Sequence, residues 1–195
     1  MDCNHVISDA EAKNSFSVQS KSISCEIHNA GCYSDDHKFI KLHLYINNDP
    51  LLEANDYSLY EYKSVNGKKI AKIQGIKLQK QYRGLGIVRH ILQRNSAVLK
   101  KNDFSCIELV AIRDGVLAWP RLGFTISKQQ HRKVLLTYAR KYLFEIRNIQ
   151  PVDLKYTSID QIDNDLLKSN EENPEGFTEW YCKQTNEHIE MKKEL

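Results

Sequence analysis

The sequence predicts an α+β fold, a mixed β-sheet in which most strands precede most helices. Three observations predict it. Residues 22–78 contain alternating apolar segments, which indicate antiparallel strands. Residues 85–101 place apolar side chains at helical spacing, and residues 106–112 form a nearly continuous apolar run, typical of a strand covered on both faces. A strand, a helix and a strand in this order predict a right-handed crossover between parallel strands.

The first half of the chain is expected to form an antiparallel meander. Residues 1–20 are polar and lack periodicity, so we expect a flexible N-terminal arm. Four strands are predicted after it, at residues 22–27, 39–46, 57–63 and 69–78. Asn66-Gly67 predicts a tight hairpin turn between the third and the fourth.

The second half is expected to be mainly helical. A short sixth strand is predicted at residues 122–126, and helical spacing follows from Val134 to Ile146. Ser158 and Gln161 match a capping box, and a last helix is expected from Phe177. We therefore divide the chain into the arm (1–20), a core (21–127) and a helical extension (128–195) packed on the core.

Composition limits the class of protein. No apolar window is long enough to span a membrane, and the N-terminus lacks a signal-peptide pattern. The five cysteines form no Cys-x-x-Cys pair, so we expect reduced thiols in a cytoplasmic protein. The seven histidines are scattered without a metal-ligand pattern, so no metal is expected.

Charge is distributed unevenly along the chain. Residues 63–101 contain eleven Lys or Arg and no Asp or Glu, whereas residues 160–195 contain ten acidic and four basic residues. Two solvated faces of opposite sign would explain this. The basic segment also contains a candidate phosphate site, which favours a polyanionic ligand.

The candidate phosphate site is a glycine-rich turn between a predicted strand and a predicted helix, at Gly84-Leu85-Gly86. Glycines there let backbone N–H groups converge on an anion at the positive end of the following helix. No Gly-Lys-Ser/Thr follows, so the turn is not a Walker loop, and no GxGxxG dinucleotide motif is present. Glycines can also end strands for purely structural reasons.

Two motifs in this region resemble those of the GNAT superfamily of N-acetyltransferases. The first is Tyr82-Arg83-Gly84-Leu85-Gly86-Ile87, similar to the family signature of Arg or Gln, two residues, Gly, one residue, and Gly or Ala. Val88 stands at the last position. The second, Trp119-Pro120-Arg121-Leu122-Gly123-Phe124, is similar to the family's Tyr-x-x-x-Gly-Phe element. The chain is identified as a divergent member on these motifs.

The resemblance implies a GNAT-like acyl-CoA N-acyltransferase fold and an acyltransferase that moves an acetyl group from acetyl-CoA to a primary amine by direct attack. It implies that the strand backbone around residues 76–78 holds the pantetheine arm. It also implies that the amides of residues 83–88 hold the pyrophosphate. The cofactor-binding residues expected in this way are Ile76, Lys77, Leu78, Arg83, Gly84, Leu85, Gly86, Ile87 and Val88.

The catalytic residues do not follow from the resemblance. The family's usual proton donor is a tyrosine where this chain has Trp119, and an indole N–H is too weak an acid for that task. In the family's histone-acetylating branch a strand glutamate is the base, and the matching position here is Lys72. The candidates that remain are Glu61, Glu108, Tyr138, Tyr142 and Trp119 itself, against the alternative that the two glutamates are exposed strand residues and that the two tyrosines pack in a core.

Two other functions remain open on sequence grounds. A GNAT-fold protein could bind acyl-CoA as a sensor or interaction module without turnover, and the basic segment could bind nucleic acid. The expected partners are an amine-bearing small molecule or protein. A membrane is not expected, nor is nucleic acid, with aminoacyl-tRNA as the exception. A homodimer is left open.

Overall fold

A computed structural model describes residues 3, 6–53, 58–112, 115–150, 171–172, 174–185 and 187–195. The chain forms two compact units, residues 1–109 with 192–195, and residues 110–191. The predicted helix start at Ser158 and the predicted strand start at Tyr57 lie outside the described residues.

The regular elements are eight strands and five α-helices among the described residues. The strands are β1 (Ile23–Ser34), β2 (His37–Ile46), β3 (Asp49–Pro50), β4 (Ser58–Val65), β5 (Lys68–Ile73), β6 (Phe104–Ala111), β7 (Thr125–Ile126) and β8 (Ile189–Glu194). The helices are α1 (Asp9–Phe16), α2 (Ile87–Lys101), α3 (Gly115–Ala118), α4 (Gln129–Glu145) and α5 (Phe177–Gln184).

The sheet of the first unit has the strand order β1-β2-β4-β5-β6, with β3 paired to β2. β1, β2, β4 and β5 are antiparallel neighbours, and β5 is parallel to β6 from Lys69–Phe104 to Ile73–Leu109. Asn66 and Gly67 have φ angles of 51° and 75°, as a two-residue hairpin turn requires. The predicted fold class, a mixed sheet with an antiparallel meander and a β-α-β crossover, is confirmed.

Two strands, β1 and β5, end at least five residues from their predicted last residues, and the strand predicted at residues 122–126 is confined to β7. β1 continues to Ser34, so the loop expected between Ile27 and Phe39 is instead the end of a β1–β2 hairpin with a register shift after Ile27. β1 lies at the edge of the sheet, where its outer half is solvated and its sequence shows little alternation. β5 ends at Ile73 rather than residue 78, and this early end shapes the candidate site.

The N-terminal segment contains a helix, contrary to the predicted flexible arm 1–20. α1 begins with a capping box in which the Ser8 hydroxyl accepts a hydrogen bond from the Glu11 N–H and Glu11 reaches back to the Ser8 N–H. Phe16 is fully buried, and its ring centroid lies 4.2 Å from that of Tyr60. The polar composition concealed this short cap and the few apolar residues that anchor the helix.

The expectation of reduced cysteines is wrong for one pair, because Cys3 and Cys32 form a disulfide. Their separation of 29 residues in sequence hides a close approach that only the β1–β2 hairpin creates. Disulfides persist mainly in oxidising compartments. The bond is therefore at odds with the predicted cytoplasmic location, which stays a prediction.

The second unit is built around aromatic side chains of α4 and α5. Four aromatic side chains are buried and contact one another edge-on, tilted or, for Phe177 and Trp180, stacked, with ring centroids 5.5–6.2 Å apart: Tyr142, Phe177, Trp180 and Tyr181. Burial raises the pKa of Tyr181 to about 12. The extension was predicted to be helical throughout, yet β8 follows α5. The alternation of buried Ile189 and Met191 indicates that strand.

Every described helix is too short or too polar to cross a bilayer.

Candidate functional site

The candidate site begins where β5 ends. The last pair between β5 and β6 is Ile73–Leu109. The next residue, Gln74, still donates its N–H to the Leu59 carbonyl of β4 (2.8 Å). The following residues pair instead with the segment around Leu52, through Glu53 N–H to the Lys77 carbonyl (3.0 Å) and an isolated bridge between Leu52 and Leu78. The chain therefore leaves β6 at Gln74, and the two parallel strands part.

This parting leaves backbone donors on the side that β6 would otherwise occupy. Among the described residues, none accepts a hydrogen bond from the N–H of Gly75, Ile76 or Leu78. Lys77 differs from its neighbours, because its carbonyl accepts from Glu53 and its side chain forms an ion pair with the Glu53 carboxylate (2.5 Å). The N–H groups of Ile76 and Leu78 thus form the free strand edge, with Lys77 facing the opposite way.

Arg83 braces the turn that follows. Its Nε donates to the Leu78 carbonyl (2.9 Å), and its Nη2 lies 2.7 Å from Glu53 Oε1. Its N–H donates to the Lys80 carbonyl (3.3 Å) within a 3₁₀ turn over Lys80–Tyr82. The Arg83 amide, predicted to bind the pyrophosphate, is therefore already hydrogen-bonded inside the turn.

Residues 84–88 form an amide nest, a run of backbone N–H groups at the start of α2. Among the described residues, none accepts a hydrogen bond from these five N–H groups. Gly84 (φ 77°) and Gly86 (φ 73°) adopt the left-handed conformation, which turns successive N–H groups towards one side. A Cβ added at either glycine would meet no atom within 4 Å, so the space above the nest is open.

The nest has the electrostatics of an anion site. It lies at the N-terminus of the 15-residue helix α2, whose dipole favours negative charge there, and the first turn of α2 carries no acidic residue. Gly86 is the N-cap and supplies no side-chain acceptor for the first N–H groups. The residues present therefore fit a diphosphate.

Two side chains flank the nest. Ile87 is buried and anchors the first turn of α2, whereas Leu85 is 65% exposed at the tip of the loop. Val88, at the position where the family has Gly or Ala, is half-buried. Its N–H remains in the nest.

Glu53 links the two segments that precede the nest, because its carboxylate contacts both Lys77 and Arg83. It lies between Lys77 and Arg83, and the hydrogen bond from Lys77, with the positive charges of Lys77 and Arg83, holds the pKa of Glu53 below its ordinary value. Sequence reasoning missed Glu53 because its contact with Arg83 spans 30 residues.

The two candidate glutamates lie in one row across the sheet. Strand register places Glu61 of β4 opposite Lys72 of β5, and Lys72 opposite Glu108 of β6. The position of the family's glutamate is thus flanked by a carboxylate on each side. Glu108 lies 3.6 Å from Lys63, whereas Glu61 accepts a hydrogen bond from the side-chain amide of Gln74 (2.8 Å).

Two other catalytic candidates have packing roles in the second unit. Trp119 lies edge-on to Phe124 with ring centroids 5.3 Å apart, and a Cβ on Gly115 would lie 2.9 Å from its Nε1. Tyr138 lies edge-on to Tyr181 at 5.3 Å. Neither contact indicates a catalytic role.

Neither a protein-family model nor a curated protein matches this sequence. The chain is similar in structure to PaiA N-acetyltransferase from Thermoplasma acidophilum in complex with coenzyme A, at 18% identity and a TM-score of 0.35, over 47% of this chain and 54% of that one. It is similar to Arabidopsis thaliana Naa50 in complex with the bisubstrate analogue CoA-Ac-MVNAL, at 18% identity and a TM-score of 0.35, over 45% and 58% of the two chains.

A GNAT family acetyltransferase from Elizabethkingia anophelis with acetyl-CoA bound is similar at 13% identity and a TM-score of 0.44, over 89% of this chain and 99% of that one. This chain spans little more than half the length of the first two proteins. The description of the Elizabethkingia anophelis protein names the family that the two sequence motifs resemble.

Proposed function

We propose that this chain is a GNAT-type N-acetyltransferase that transfers an acetyl group from acetyl-CoA to a primary amine. The observation that carries the proposal is the amide nest of residues 84–88, which lies directly after a strand that parts from its parallel neighbour. One continuous stretch of chain therefore offers donors for a diphosphate and, before it, a free strand edge for an extended amide-containing arm.

The proposed roles follow from where the donors lie. The nest binds the diphosphate of the cosubstrate, and the edge at Ile76 and Leu78 pairs with the pantetheine arm as an added strand would. A strand N–H near the parting point, such as that of Gly75, donates to the thioester oxygen and stabilises the negative charge that develops there. These contacts orient the thioester for direct attack by the amine.

The acceptor is proposed only as a class, an amine-bearing small molecule or protein, with aminoacyl-tRNA as the one nucleic-acid exception. The test is a thiol-release assay with acetyl-CoA and a panel of free amines, peptides and aminoacyl-tRNA. The proposal predicts thiol release that depends on both acetyl-CoA and one acceptor class. Binding of CoA without thiol release from any acceptor would contradict it.

A second function, acyl-CoA binding without turnover, is favoured by two observations. Trp119 stands where the family has its proton-donating tyrosine, and Lys72 stands at the glutamate position. A ligand that prefers the folded state raises its melting temperature. This alternative predicts such a rise with CoA and acyl-CoAs but no thiol release.

A further inference from the structure

Three polar side chains form a chain across one face of the sheet, and the chain begins where β5 and β6 part. They are His37 at the start of β2, Glu61 in β4 and Gln74 immediately after β5. Gln74 Nε2 donates to Glu61 Oε1 (2.8 Å), and His37 Nε2 lies 3.4 Å from Glu61 Oε2. The two carboxylate oxygens of Glu61 thus face different partners.

The register places Gln74 at the proposed reaction site, with Glu61 and then His37 successively further from it. Gln74 is the first residue beyond the last β5–β6 pair, so its side chain marks the parting point. Glu61 lies opposite Lys72, the residue before Ile73, and His37 pairs with Lys63 two residues further from the parting point. Glu61 is therefore held between the parting point and His37.

The His37 ring packs against Tyr33, whereas its Nε2 atom has no hydrogen-bond partner among the described residues. The ring lies edge-on to Tyr33 with centroids 4.8 Å apart. His37 Nε2 is buried and has no hydrogen-bond partner among the described residues, so its 3.4 Å approach to Glu61 is a proximity without hydrogen-bond alignment. The ring nitrogen nearest to the Glu61 carboxylate is therefore not engaged by another described residue.

The charged neighbours distinguish Glu61 from Glu108. Glu108 is paired with Lys63, whereas Glu61 has a neutral amide and an imidazole as its nearest partners. Lys72 lies between the two carboxylates in register but forms no ion pair with either one in the described structure. The side chain of Glu61 is 15% exposed, which limits competition from water.

The next inference rests on the proposed function. We propose that Glu61 accepts a proton from the incoming amine, that Gln74 positions the Glu61 carboxylate, and that His37 passes the proton on. The acceptor ammonium transfers one proton to Glu61, which passes it to His37 Nε2, and the ring, 30% exposed, releases its Nδ1 proton to solvent. The neutral nitrogen then bonds to the thioester carbon while the carbon–sulfur bond breaks. The second proton of that nitrogen neutralises the leaving thiolate through water, which balances the reaction.

The test compares Glu61→Gln, Glu61→Asp and His37→Gln by the pH dependence of thiol release and, separately, by CoA affinity. General-base catalysis contributes roughly 10²–10⁴-fold. We therefore expect Glu61→Gln to lower kcat at least 100-fold while CoA affinity stays unchanged. The acid limb of its pH–rate profile should be flattened. Glu61→Asp should restore part of the rate. We expect His37→Gln to lower kcat about 10-fold and to shift the acid limb, as a relay requires.

His43→Gln is the matched control, because His43 lies on the same strand with its ring against His28, outside the cluster. It should leave the profile unchanged. An active wild-type protein whose Glu61→Gln variant keeps the wild-type profile would overturn this inference alone, as would a loss confined to Glu108→Gln. Wild-type protein that binds CoA and acetylates no amine would instead refute the proposed function.

Discussion

Substitution of Gly86 by alanine tests the amide nest. Gly86 is the N-cap of α2 at a φ of 73°, and an added Cβ meets no neighbour within 4 Å. The protein supplies its own control in Gly67, which has a φ of 75°, equally open surroundings and a place in the β4–β5 hairpin turn away from the nest. The two substitutions impose the same backbone strain, but only Gly86→Ala adds a methyl group beside the nest, where it should keep a phosphate oxygen from one of the N–H groups.

The expected loss of unfolding free energy and the expected loss of CoA affinity differ in size. Alanine in the left-handed conformation costs about 1–2 kcal/mol, partly offset by about 0.4–1 kcal/mol from the less flexible unfolded chain. Both variants should therefore lose about 1 kcal/mol of unfolding free energy and melt about 2–4 °C lower. A hydrogen bond to a charged group contributes about 1.5–3 kcal/mol, so loss of one phosphate contact should weaken CoA binding by roughly 10- to 100-fold.

Isothermal titration calorimetry with CoA, together with thermal unfolding without ligand, measures both quantities. We expect equal losses of stability and a loss of CoA affinity only in Gly86→Ala. Equal CoA affinity in Gly86→Ala and Gly67→Ala would refute the nest as the diphosphate site. A loss of affinity in both would trace the effect to general destabilisation.

Three further predictions concern the frame around the site. Ser8→Ala removes the α1 cap and should lower the unfolding free energy by about 1 kcal/mol in urea denaturation, with Ser34→Ala as an exposed control. Reduction of the Cys3–Cys32 disulfide should lower the unfolding free energy by about 3–4 kcal/mol, as expected for a closed loop of this length. A melting temperature that is insensitive to reductant would contradict this prediction. Because Lys77 holds the folded-state pKa of Glu53 below its ordinary value, the stabilisation by Glu53 is present above its unfolded pKa and lost as pH falls through the folded pKa. Glu53→Gln should then show a smaller acid-induced fall in melting temperature than wild type.

The fold could be predicted where local sequence and global structure agree. The Asn66-Gly67 turn and the apolar run at residues 106–112 each specify an element by local chemistry, and both elements form as expected. α1 was missed because its stability depends on a single cap and on burial of Phe16 against the sheet, neither of which produces a long periodic pattern.

In the candidate site too, some residues could be predicted from local sequence and others could not. The glycines of the nest are visible in sequence because a left-handed backbone selects glycine. Glu53 and His37 could not be found in this way, because each contacts a partner that is distant in sequence and that only the folded chain brings near. Arg83 was expected to bind ligand through its amide, yet the 3₁₀ turn that shapes the nest uses that amide.

The central claim is that five consecutive backbone N–H groups hold a diphosphate, and an NMR titration of ¹⁵N-labelled protein with CoA observes them directly. We predict saturable shifts of the amide resonances of residues 84–88, while that of Gly67 stays in place. Saturable CoA binding that leaves the amides of residues 84–88 unmoved would contradict the claim.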